Sequence, residues 1–334
     1  MKPWDKILTV SIAAYNVENF IEKALDSLIS DEETLGKLEV LVIDDGSTDQ
    51  TAGKALKYAD KYPDSIKVIS KENAGYGSTI NTSLKLASGK YFKELDGDDY
   101  FEKENLSEFI KYLEKAEAQI IVSPYKNILV DKGFKEELID NHRALGENKE
   151  LIDEALYHPV IFMHELSYRT DFLRENEIKI PERCFYTDTQ YVLYPFMKAK
   201  TISRFEKPVY NYRLGDLEQS VSLNGVKKHF KDAIFVAKDA LEVTYGYYKS
   251  LGNSFGKREA YFTNRIKRIV SFAYTGIALM DDVKASKIMM KALDGFIKKN
   301  YPEFYELNRE VKRIRLFESF NFSFYALKRK LLIR

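Results

Sequence analysis

The segment from Leu38 to Asp49 reads LEVLVIDDGSTD, and it decides the fold because it holds a whole strand and the turn that follows it. Its first six residues form an almost continuous apolar run, typical of a parallel strand that is covered on both faces. Asp44 and Asp45 end this run, and the residues from Gly46 to Asp49 supply turn and helix-capping side chains. The segment therefore predicts one strand–loop–helix unit with two carboxylates at the strand end.

The same unit recurs along the first part of the chain. The sequence predicts strands at residues 7–13, 38–43, 66–69, 91–95 and 118–123, with helical patterns near 20–28, 51–62, 78–86 and 105–117. Alternation of strands and helices with short connections favours an α/β fold with a mostly parallel sheet flanked by helices. Ligands of such sheets bind beyond the carboxyl ends of the strands, where this sequence concentrates its acidic residues.

Composition excludes several classes of protein. Of the 334 residues, 45% are hydrophobic and 31% charged, which is typical of a globular protein and not of a disordered one. The 52 basic and 51 acidic residues leave a net charge of +1, which does not favour nucleic acid as a partner. One cysteine, Cys184, excludes an internal disulfide framework and a thiol-rich zinc site. With no run of about 18 apolar residues to cross a bilayer, we expect a cytoplasmic protein.

The strongest chemical signal is Asp96-Gly97-Asp98-Asp99 at the end of a predicted strand. Three carboxylates so close together repel one another unless a cation or solvent relieves them. Mg²⁺ and Mn²⁺ prefer oxygen ligands and bridge carboxylates to diphosphate oxygens, so this turn predicts a divalent metal site. An acidic turn without a metal is the alternative.

Two further loops give weaker signals. Gly75 and Ser78 lie in a glycine loop before a helical pattern, where backbone N–H groups can face an anion; a plain glycine turn is the alternative. Asp44 and Asp45 can accept hydrogen bonds from a base or a ribose. The residues Ser47 to Asp49 have an ordinary reading as loop and capping residues.

Four motifs now stand in order: Ser11 to Asn16, Val42 to Asp49, Asn73 to Gly75 with Asn81, and Ala87 to Asp99. Together they resemble the nucleotide-binding half of the family 2 glycosyltransferases with the GT-A fold, over roughly residues 6–215. The DxD element of the family appears at residues 96–99, with Gly97 where serine is commoner.

The resemblance implies an enzyme that moves one sugar, with inversion, from a nucleotide-sugar to an acceptor hydroxyl. It implies a UDP-sugar donor, a saccharide or lipid-linked saccharide acceptor, and a role in surface polysaccharide or glycolipid assembly. The chain lacks the Gln-x-x-Arg-Trp motif and the membrane helices of processive synthases, which favours single-sugar transfer. We expect a GT-A-like domain over residues 1–225 and a helical C-terminal region over 226–334. Residues 1–125 are then the nucleotide-sugar-binding half, and 126–225 the acceptor half.

The resemblance also assigns roles to single residues. Asp45 holds the uracil with Tyr15 beside the base, Asp98 contacts the ribose, and Asp99 with Asp96 holds Mn²⁺ or Mg²⁺ on the diphosphate. The full predicted set for binding the nucleotide-sugar is Ala14, Tyr15, Asn16, Asp45, Gly75, Ser78, Asp96 and Asp98, and that for the metal is Asp96, Asp98 and Asp99.

Asp188 is the predicted catalytic base, because it lies where the family carries an acidic residue before a helix. The usual Glu-Asp pair reads Thr187-Asp188 here, and a helix cap is the alternative role for Asp188. Arg213 or Ser220 would steady a phosphate or close over the donor, and Arg213 has an alternative as a solvated charge. His164 has two interpretations, a residue lining the acceptor side or an ordinary packed histidine.

Residues 309–334 mix basic and aromatic side chains, which suits the surface of an anionic membrane. Docking on the catalytic domain, or on a second subunit of a homo-oligomer, is an equal alternative. With the membrane interpretation, the protein would work at the inner face of the plasma membrane. Two other functions stay open at this point: a sugar nucleotidyltransferase and a nucleotide-sugar-binding protein without catalysis.

Overall fold

The computed structural model describes residues 4–145, 150–151, 161–216, 219–318 and 325–326. The described residues form two compact units, the first ending at Gly215 and the second beginning at Asp216. The division therefore comes at residue 215, whereas the sequence led us to expect a boundary at residue 225.

The first unit contains all the strands that the described residues form. These are β1 (Leu8–Ala14), β2 (Leu38–Asp44), β3 (Ile66–Ser70), β4 (Tyr91–Asp96), β5 (Tyr100–Phe101), β6 (Ile120–Val122), β7 (Tyr125–Leu129), β8 (Lys135–Ile139), β9 (Glu150–Leu151), β10 (Leu166–Arg169), β11 (Thr201–Arg204) and β12 (Tyr210–Leu214). Its helices are α1 (Ile21–Asp26), α2 (Glu32–Gly36), α3 (Thr51–Lys61), α4 (Tyr76–Leu86), α5 (Lys103–Lys115), α6 (Thr170–Glu175) and α7 (Asp188–Lys198).

An eight-stranded sheet in the order β3-β2-β1-β4-β10-β6-β11-β9 forms the centre of this unit. β1 is parallel to β2 and β4, and β2 is parallel to β3. Every residue of β2 is buried, as its continuous apolar run predicts for a strand with helices on both faces. The predicted α/β fold with a mostly parallel, GT-A-like sheet is therefore confirmed.

The structure adds two features that the strand pattern did not predict. β10 is antiparallel to both β4 and β6, between which it lies. A second sheet has the order β5-β12-β7-β8, and its strand β5 begins at Tyr100, directly after the acidic turn. Residues 97–99 therefore connect the two sheets, which fixes the turn at both of its ends.

Buried charges lie within the large sheet. Lys93 and Glu94 on β4 are both fully buried, and the ammonium of Lys93 donates to the carbonyls of His164 (2.8 Å) and Leu166 (3.0 Å). Burial lowers the pKa of Lys93 to about 7. Burial also raises the pKa of Glu94 well above its ordinary value, because the charged form loses its hydration there.

Glu39 on β2 is also a buried carboxylate, but its pKa is lowered, whereas that of Glu94 is raised. Burial would raise its pKa, but the hydrogen bonds it accepts from the Ser88 N–H (2.6 Å) and the Thr9 hydroxyl (2.8 Å) bring the pKa below its usual value. Thr9 in turn accepts from the Gly89 N–H (2.9 Å). These bonds tie the start of β1 to the turn that enters β4.

The second unit is helical. Its helices are α8 (Leu223–Lys228), α9 (Phe230–Ser250), α10 (Glu259–Ala278), α11 (Val283–Asn300), α12 (Pro302–Arg309) and α13 (Lys312–Glu318). Phe255 stacks on Phe262 at 4.7 Å between ring centroids and lies 5.1 Å from Tyr248, which packs on Phe304 at 5.6 Å. Much of the aromatic excess in the sequence therefore forms the core of this unit.

The basic and aromatic segment at residues 309–334 is described only at 309–318 and 325–326. Phe317 and Tyr325 are buried and lie 5.3 Å apart, so these two rings belong to the core of the second unit. The other aromatic residues of the segment lie outside the described residues. Among the described helices, none is both long and apolar enough to cross a membrane.

We expect Glu94→Gln and Glu39→Gln to change stability with opposite signs. A buried acid with a raised pKa keeps a proton that the unfolded chain releases, so wild-type stability falls as pH rises above about 4.5, by at most about 1.4 kcal/mol per pH unit. Glu94→Gln removes this loss, and its advantage over wild type grows with pH. Glu39→Gln removes stabilisation that is present above pH 4.5, so it is less stable at neutral pH and the deficit shrinks on acidification.

Urea unfolding in EDTA at several pH values between 4 and 8 measures both effects. Parallel stability profiles for wild type and both variants would contradict this assignment of the two carboxyl groups.

Candidate active site

Strand register gathers the predicted site residues. Ala14 of β1 lies opposite Asp44 of β2, and Ala13 lies opposite Asp96 of β4. The carboxyl ends of these parallel strands meet at one edge of the sheet. The two acidic motifs, which are about 50 residues apart in the sequence, therefore lie on either side of the β1 end.

The loop after β1 and the loop after β2 are joined by hydrogen bonds. The Asn16 N–H donates to the Ser47 hydroxyl (3.0 Å), and the side-chain carbonyl of Asn16 accepts from the Thr48 N–H (2.8 Å). Asn16 has a positive φ of 53°, which directs its backbone toward this partner. Ala14 accepts from the Asp45 N–H at 2.8 Å. Ser47 and Thr48 thus tie the two loops together, a role that their loop-and-cap reading did not include.

Tyr15 lies in the first of these two loops, directly after β1. Its side chain is 52% exposed, although its neighbours Ala14 and Asp45 are buried. A flat, exposed ring on an anchored loop is suited to stack on a base or a sugar.

Asp45 is buried and anchors the glycine loop. Its Oδ1 accepts from the Lys71 ammonium (2.5 Å), the Ala74 N–H (3.0 Å) and the Ser78 hydroxyl (3.3 Å). Its Oδ2 accepts from the Gly75 N–H at 2.8 Å and keeps room for one more donor. The sequence indicated that Asp45 contacts a base, but it gave no sign of this second task.

Helix α4 holds the segment that precedes Asp188. The amide of Asn81 donates to the Ile180 carbonyl (2.8 Å) and to Glu182 (2.9 Å), and it accepts from the Ile180 N–H (2.9 Å). A Cβ at Gly77 would lie 1.9 Å from the Pro181 carbonyl oxygen. The close approach of the two segments therefore requires glycine at position 77.

The segment is also held at Gly75. The Arg183 N–H donates to the Ala74 carbonyl at 2.6 Å, and a Cβ on Gly75 would lie 3.1 Å from the Arg183 nitrogen. Arg183 and Tyr186 both have positive φ, 60° and 67°, which is unusual for side chains of their size. Such backbone strain persists where neighbouring contacts fix it.

Gly97 lets the acidic turn pass beneath the loop after β1. Its N–H donates to the Ala13 carbonyl (3.0 Å), and a Cβ would lie 2.8 Å from that oxygen and 2.9 Å from a methyl group of Val17. This packing accounts for glycine where the family more often has serine.

Asp99 is fully buried, and its carboxylate is held by the second sheet. It accepts from the Tyr210 hydroxyl (2.6 Å) and the Arg213 N–H (2.7 Å), while the Tyr210 oxygen accepts from the Asp96 N–H (3.2 Å). Burial, followed by the charges of Asp98 and Asp96, raises the pKa of Asp99 well above its ordinary value. Asp99 therefore joins the acidic turn to β12 in addition to being a candidate metal ligand.

Arg213 lies against the same turn. Its guanidinium is centred 4.1 Å from the ring of Phe20 and donates a long hydrogen bond to the Asp98 carbonyl (3.4 Å). Its side chain is largely buried, so it is not a solvated charge at a strand edge. Ser220, its predicted companion, belongs to the second unit.

Asp96, Asp99 and His164 form one group, with a ligand atom of each within 4.8 Å of the others. The Oδ1 of Asp96 and the Nδ1 of His164 are buried and have no hydrogen-bond partner. Burial, and then the charge of Asp98, raise the pKa of Asp96 to about 7, and Asp188 adds to the rise. The negative charge of Asp188 therefore acts on Asp96 of the acidic turn.

Asp188 is the first residue of α7, and Thr187 occupies the cap position before it. The side chain of Asp188 is half-buried, and its charge also helps to raise the pKa of the partly buried Tyr76, after the larger effects of burial, Asp96 and Glu94. The structure thus places Asp188 in the first turn of the helix and near the acidic motif.

His164 is the functional candidate that sequence reasoning missed as a ligand. Its ring stacks on Tyr212 at 3.9 Å and packs on Tyr210 at 4.9 Å, and burial lowers its pKa to about 3, with Lys93 contributing. The histidine lies in a 3₁₀ turn, Met163–Glu165, with no motif spacing to the acidic turn. Only the tertiary structure brings them together. Cys184, the one cysteine of the sequence, is buried.

The sequence is similar to those of known glycosyltransferases. A family model described as Glycosyl transferase family 2 matches residues 9–174. A glycosyltransferase of Haemophilus influenzae is 26% identical to the chain, over 93% of this chain and 96% of its own length. The poly(ribitol-phosphate) beta-N-acetylglucosaminyltransferase TarS of Staphylococcus aureus is 27% identical, over 61% of this chain and 35% of its own.

Solved structures share the fold. Residues 1–349 of S. aureus TarS, crystallised with UDP-GlcNAc, align with a TM-score of 0.66 and 20% identity, over 98% of this chain and 89% of that one. The mannosyltransferase PcManGT of Pyrobaculum calidifontis, in complex with GDP-Man and Mn²⁺, aligns with a TM-score of 0.54 and 15% identity, over 99% of this chain and 88% of that one.

Gly77→Ala tests the contact between α4 and the segment before Asp188. The added methyl group would meet the backbone at Pro181, and overpacking of this kind costs about 1–3 kcal/mol of unfolding free energy. Gly36→Ala is the matched control, because a Cβ there meets nothing within 4 Å. It should leave stability unchanged or raise it by up to about 1 kcal/mol. Urea unfolding of the two variants measures the difference, and equal stabilities would refute the contact.

Proposed function

Since the chain belongs to the family 2 glycosyltransferases, we propose that it transfers one sugar, with inversion, from a UDP-sugar to an acceptor hydroxyl. The acceptor is a saccharide or lipid-linked saccharide in the assembly of a surface polysaccharide or glycolipid. The relative TarS is named for transfer to poly(ribitol-phosphate), a polymer that carries hydroxyl groups, which supports a polymeric acceptor. The UDP-GlcNAc complex of the TarS structure supports a UDP-sugar donor.

One observation carries this proposal: the two carboxylate motifs lie on either side of the β1 end, and the base-stacking candidate Tyr15 follows β1 directly. Ala14 is opposite Asp44 and Ala13 opposite Asp96, so the loop that carries Tyr15 starts between the two carboxylate motifs. A nucleotide whose base lies on Tyr15 then extends its diphosphate toward residues 96–99. Oδ2 of Asp45 can accept from the imide N–H of the base, and Asp98 can accept from a ribose hydroxyl.

The carboxylates at residues 96–99 are the ligands we propose for a divalent metal. The donor set fits such an ion, because it contains three carboxylates and because Oδ1 of Asp96 is buried without a hydrogen-bond partner. Mn²⁺ is favoured by the PcManGT complex, which contains this ion. When bound, the metal stabilises the negative charge that develops on the leaving UDP.

Asp188 is the proposed general base. In an inverting displacement the acceptor oxygen forms a bond to the anomeric carbon while the bond from that carbon to the UDP oxygen breaks. The electron pair of the broken bond goes to the diphosphate, and the acceptor proton goes to the Asp188 carboxylate. Asp188 lies in the first turn of α7, at the positive end of the helix dipole.

The segment from Ile180 to Tyr186 fixes where this base stands. Asn81 and Gly77 of α4 hold the segment, and α4 itself follows the glycine loop that Asp45 anchors. The proposed donor loop and the proposed base are therefore parts of one hydrogen-bonded assembly. This arrangement keeps the base at a constant position relative to the bound sugar.

We expect Asp188→Asn to lower the rate of sugar transfer about 10²- to 10⁴-fold, because the amide cannot take the acceptor proton. UDP binding, measured by calorimetry, should stay within about twofold of wild type. Asp64→Asn removes an exposed carboxylate of the same unit and is the matched control, with unchanged transfer. An unchanged rate of sugar transfer by Asp188→Asn would show that Asp188 is not the general base. If wild type binds UDP but transfers no sugar from any nucleotide-sugar tested, the protein is a binding protein instead.

We expect Mn²⁺ to tighten UDP binding by tenfold or more, and Asp98→Asn to abolish most of this gain. The substitution removes a charged oxygen ligand and leaves the anchoring bonds of Asp99 intact. Calorimetric titration of UDP in Mn²⁺ and in EDTA measures the gain. Equal UDP affinity of wild type in the two conditions would refute the metal proposal.

A further inference from the structure

The group formed by Asp96, Asp99 and His164 contains two buried polar atoms that no hydrogen bond satisfies. They are Oδ1 of Asp96 and Nδ1 of His164, and the side chain of His164 is 93% buried. Buried polar atoms are almost always paired, because an unpaired one loses its hydration and gains no bond in exchange. Two such atoms on neighbouring side chains therefore indicate a ligand that bonds to both.

Contacts to its backbone and to its ring fix the position of His164. Lys93 donates to the carbonyl of His164, and Glu165 closes the 3₁₀ turn by accepting from the Phe162 N–H (2.8 Å). Stacking on Tyr212 fixes the plane of the imidazole. A ring fixed on its backbone and on its face is preorganised to present a nitrogen to a ligand.

Asp99 is held as firmly, and each of its oxygens still has a lone pair. Tyr210 donates to one oxygen and the Arg213 N–H to the other, while a carboxylate offers about four acceptor positions. The negative charges of Asp96 and Asp99 repel each other. A cation removes the repulsion and satisfies both unpaired atoms.

The size of the group also suits a metal ion. Its three ligand atoms lie within 4.8 Å of one another. An octahedral ion with bonds of about 2.1 Å places adjacent ligands about 3.0 Å apart and opposite ligands about 4.2 Å apart. The three ligand atoms are close enough to share one ion once they move inward to these spacings.

We propose that His164 is a nitrogen ligand of the divalent cation held by the acidic turn, and that it makes the site prefer Mn²⁺ to Mg²⁺. Imidazole nitrogen suits borderline transition metals, whereas Mg²⁺ is held best by oxygen alone. This inference rests on the proposed metal-dependent function, because it names a further ligand for the same ion.

Pulsed electron paramagnetic resonance of the full chain with Mn²⁺ and UDP tests the ligand directly. We expect ¹⁴N modulation from an imidazole in wild type, and its loss in His164→Phe, which keeps a ring for stacking on Tyr212. His229→Asn, a change at a histidine of the second unit, is the control and should retain the modulation. Bound Mn²⁺ without nitrogen modulation in wild type would overturn the His164 assignment and leave the metal proposal standing. Failure of Mn²⁺ to bind, even with UDP, would instead overturn the metal proposal on which this one rests.

Metal affinities give a second test that is independent of catalysis. His164→Phe should weaken Mn²⁺ binding about tenfold or more and Mg²⁺ binding much less, so that the ratio of the two affinities falls. His164→Asn, which offers an oxygen in place of the nitrogen, should recover Mg²⁺ binding better than Mn²⁺ binding. Near-ultraviolet circular dichroism confirms that each variant is folded. An unchanged ratio in a folded His164→Phe variant would overturn the proposal.

Discussion

The parallel pairing of β1 with β2 on one side and with β4 on the other is the constraint on which the site depends. It brings Asp44 and Asp96 to the two sides of the β1 end. At the opposite end the register is fixed by Gly89, whose N–H donates to Thr9 and whose absent Cβ would lie 2.5 Å from the Thr9 nitrogen. A slip of one residue would turn every side chain of β1 to the other face of the sheet. The strand therefore tolerates only the register that assembles the acidic edge.

The loops beyond the carboxyl ends of these strands are held together by hydrogen bonds between side chains and backbone groups. Asp45 accepts hydrogen bonds from the glycine loop. In the following helix, Asn81 bonds to the segment that leads to Asp188, and Gly77 packs closely against it. The proposed donor site and the proposed base are thus linked by short-range contacts within one unit. The positive φ values at Arg183 and Tyr186 show that this segment follows the contacts and not its own backbone preference.

Much of the fold could be predicted from the sequence, because parallel strands with continuous apolar runs leave a local pattern that the carboxylates interrupt. The acidic turn could be found in the same way, since Asp96 to Asp99 are neighbours in the chain. What could not be predicted depends on tertiary contacts. The hydrogen bonds of Asp99 come from β12, more than 100 residues away. His164 comes from an irregular turn whose position is set by Lys93, a buried lysine in a strand that its local pattern gave no reason to single out.

The central claim is that a nucleotide and a divalent metal bind together at the carboxyl ends of β1, β2 and β4. Anomalous diffraction at the manganese edge, from crystals soaked with Mn²⁺ and UDP, tests it most directly. We expect a manganese peak about 2–2.5 Å from carboxylate oxygens of residues 96–99, with the uracil on the ring of Tyr15. A UDP molecule bound elsewhere, or a manganese ion that contacts none of these carboxylates, would contradict it.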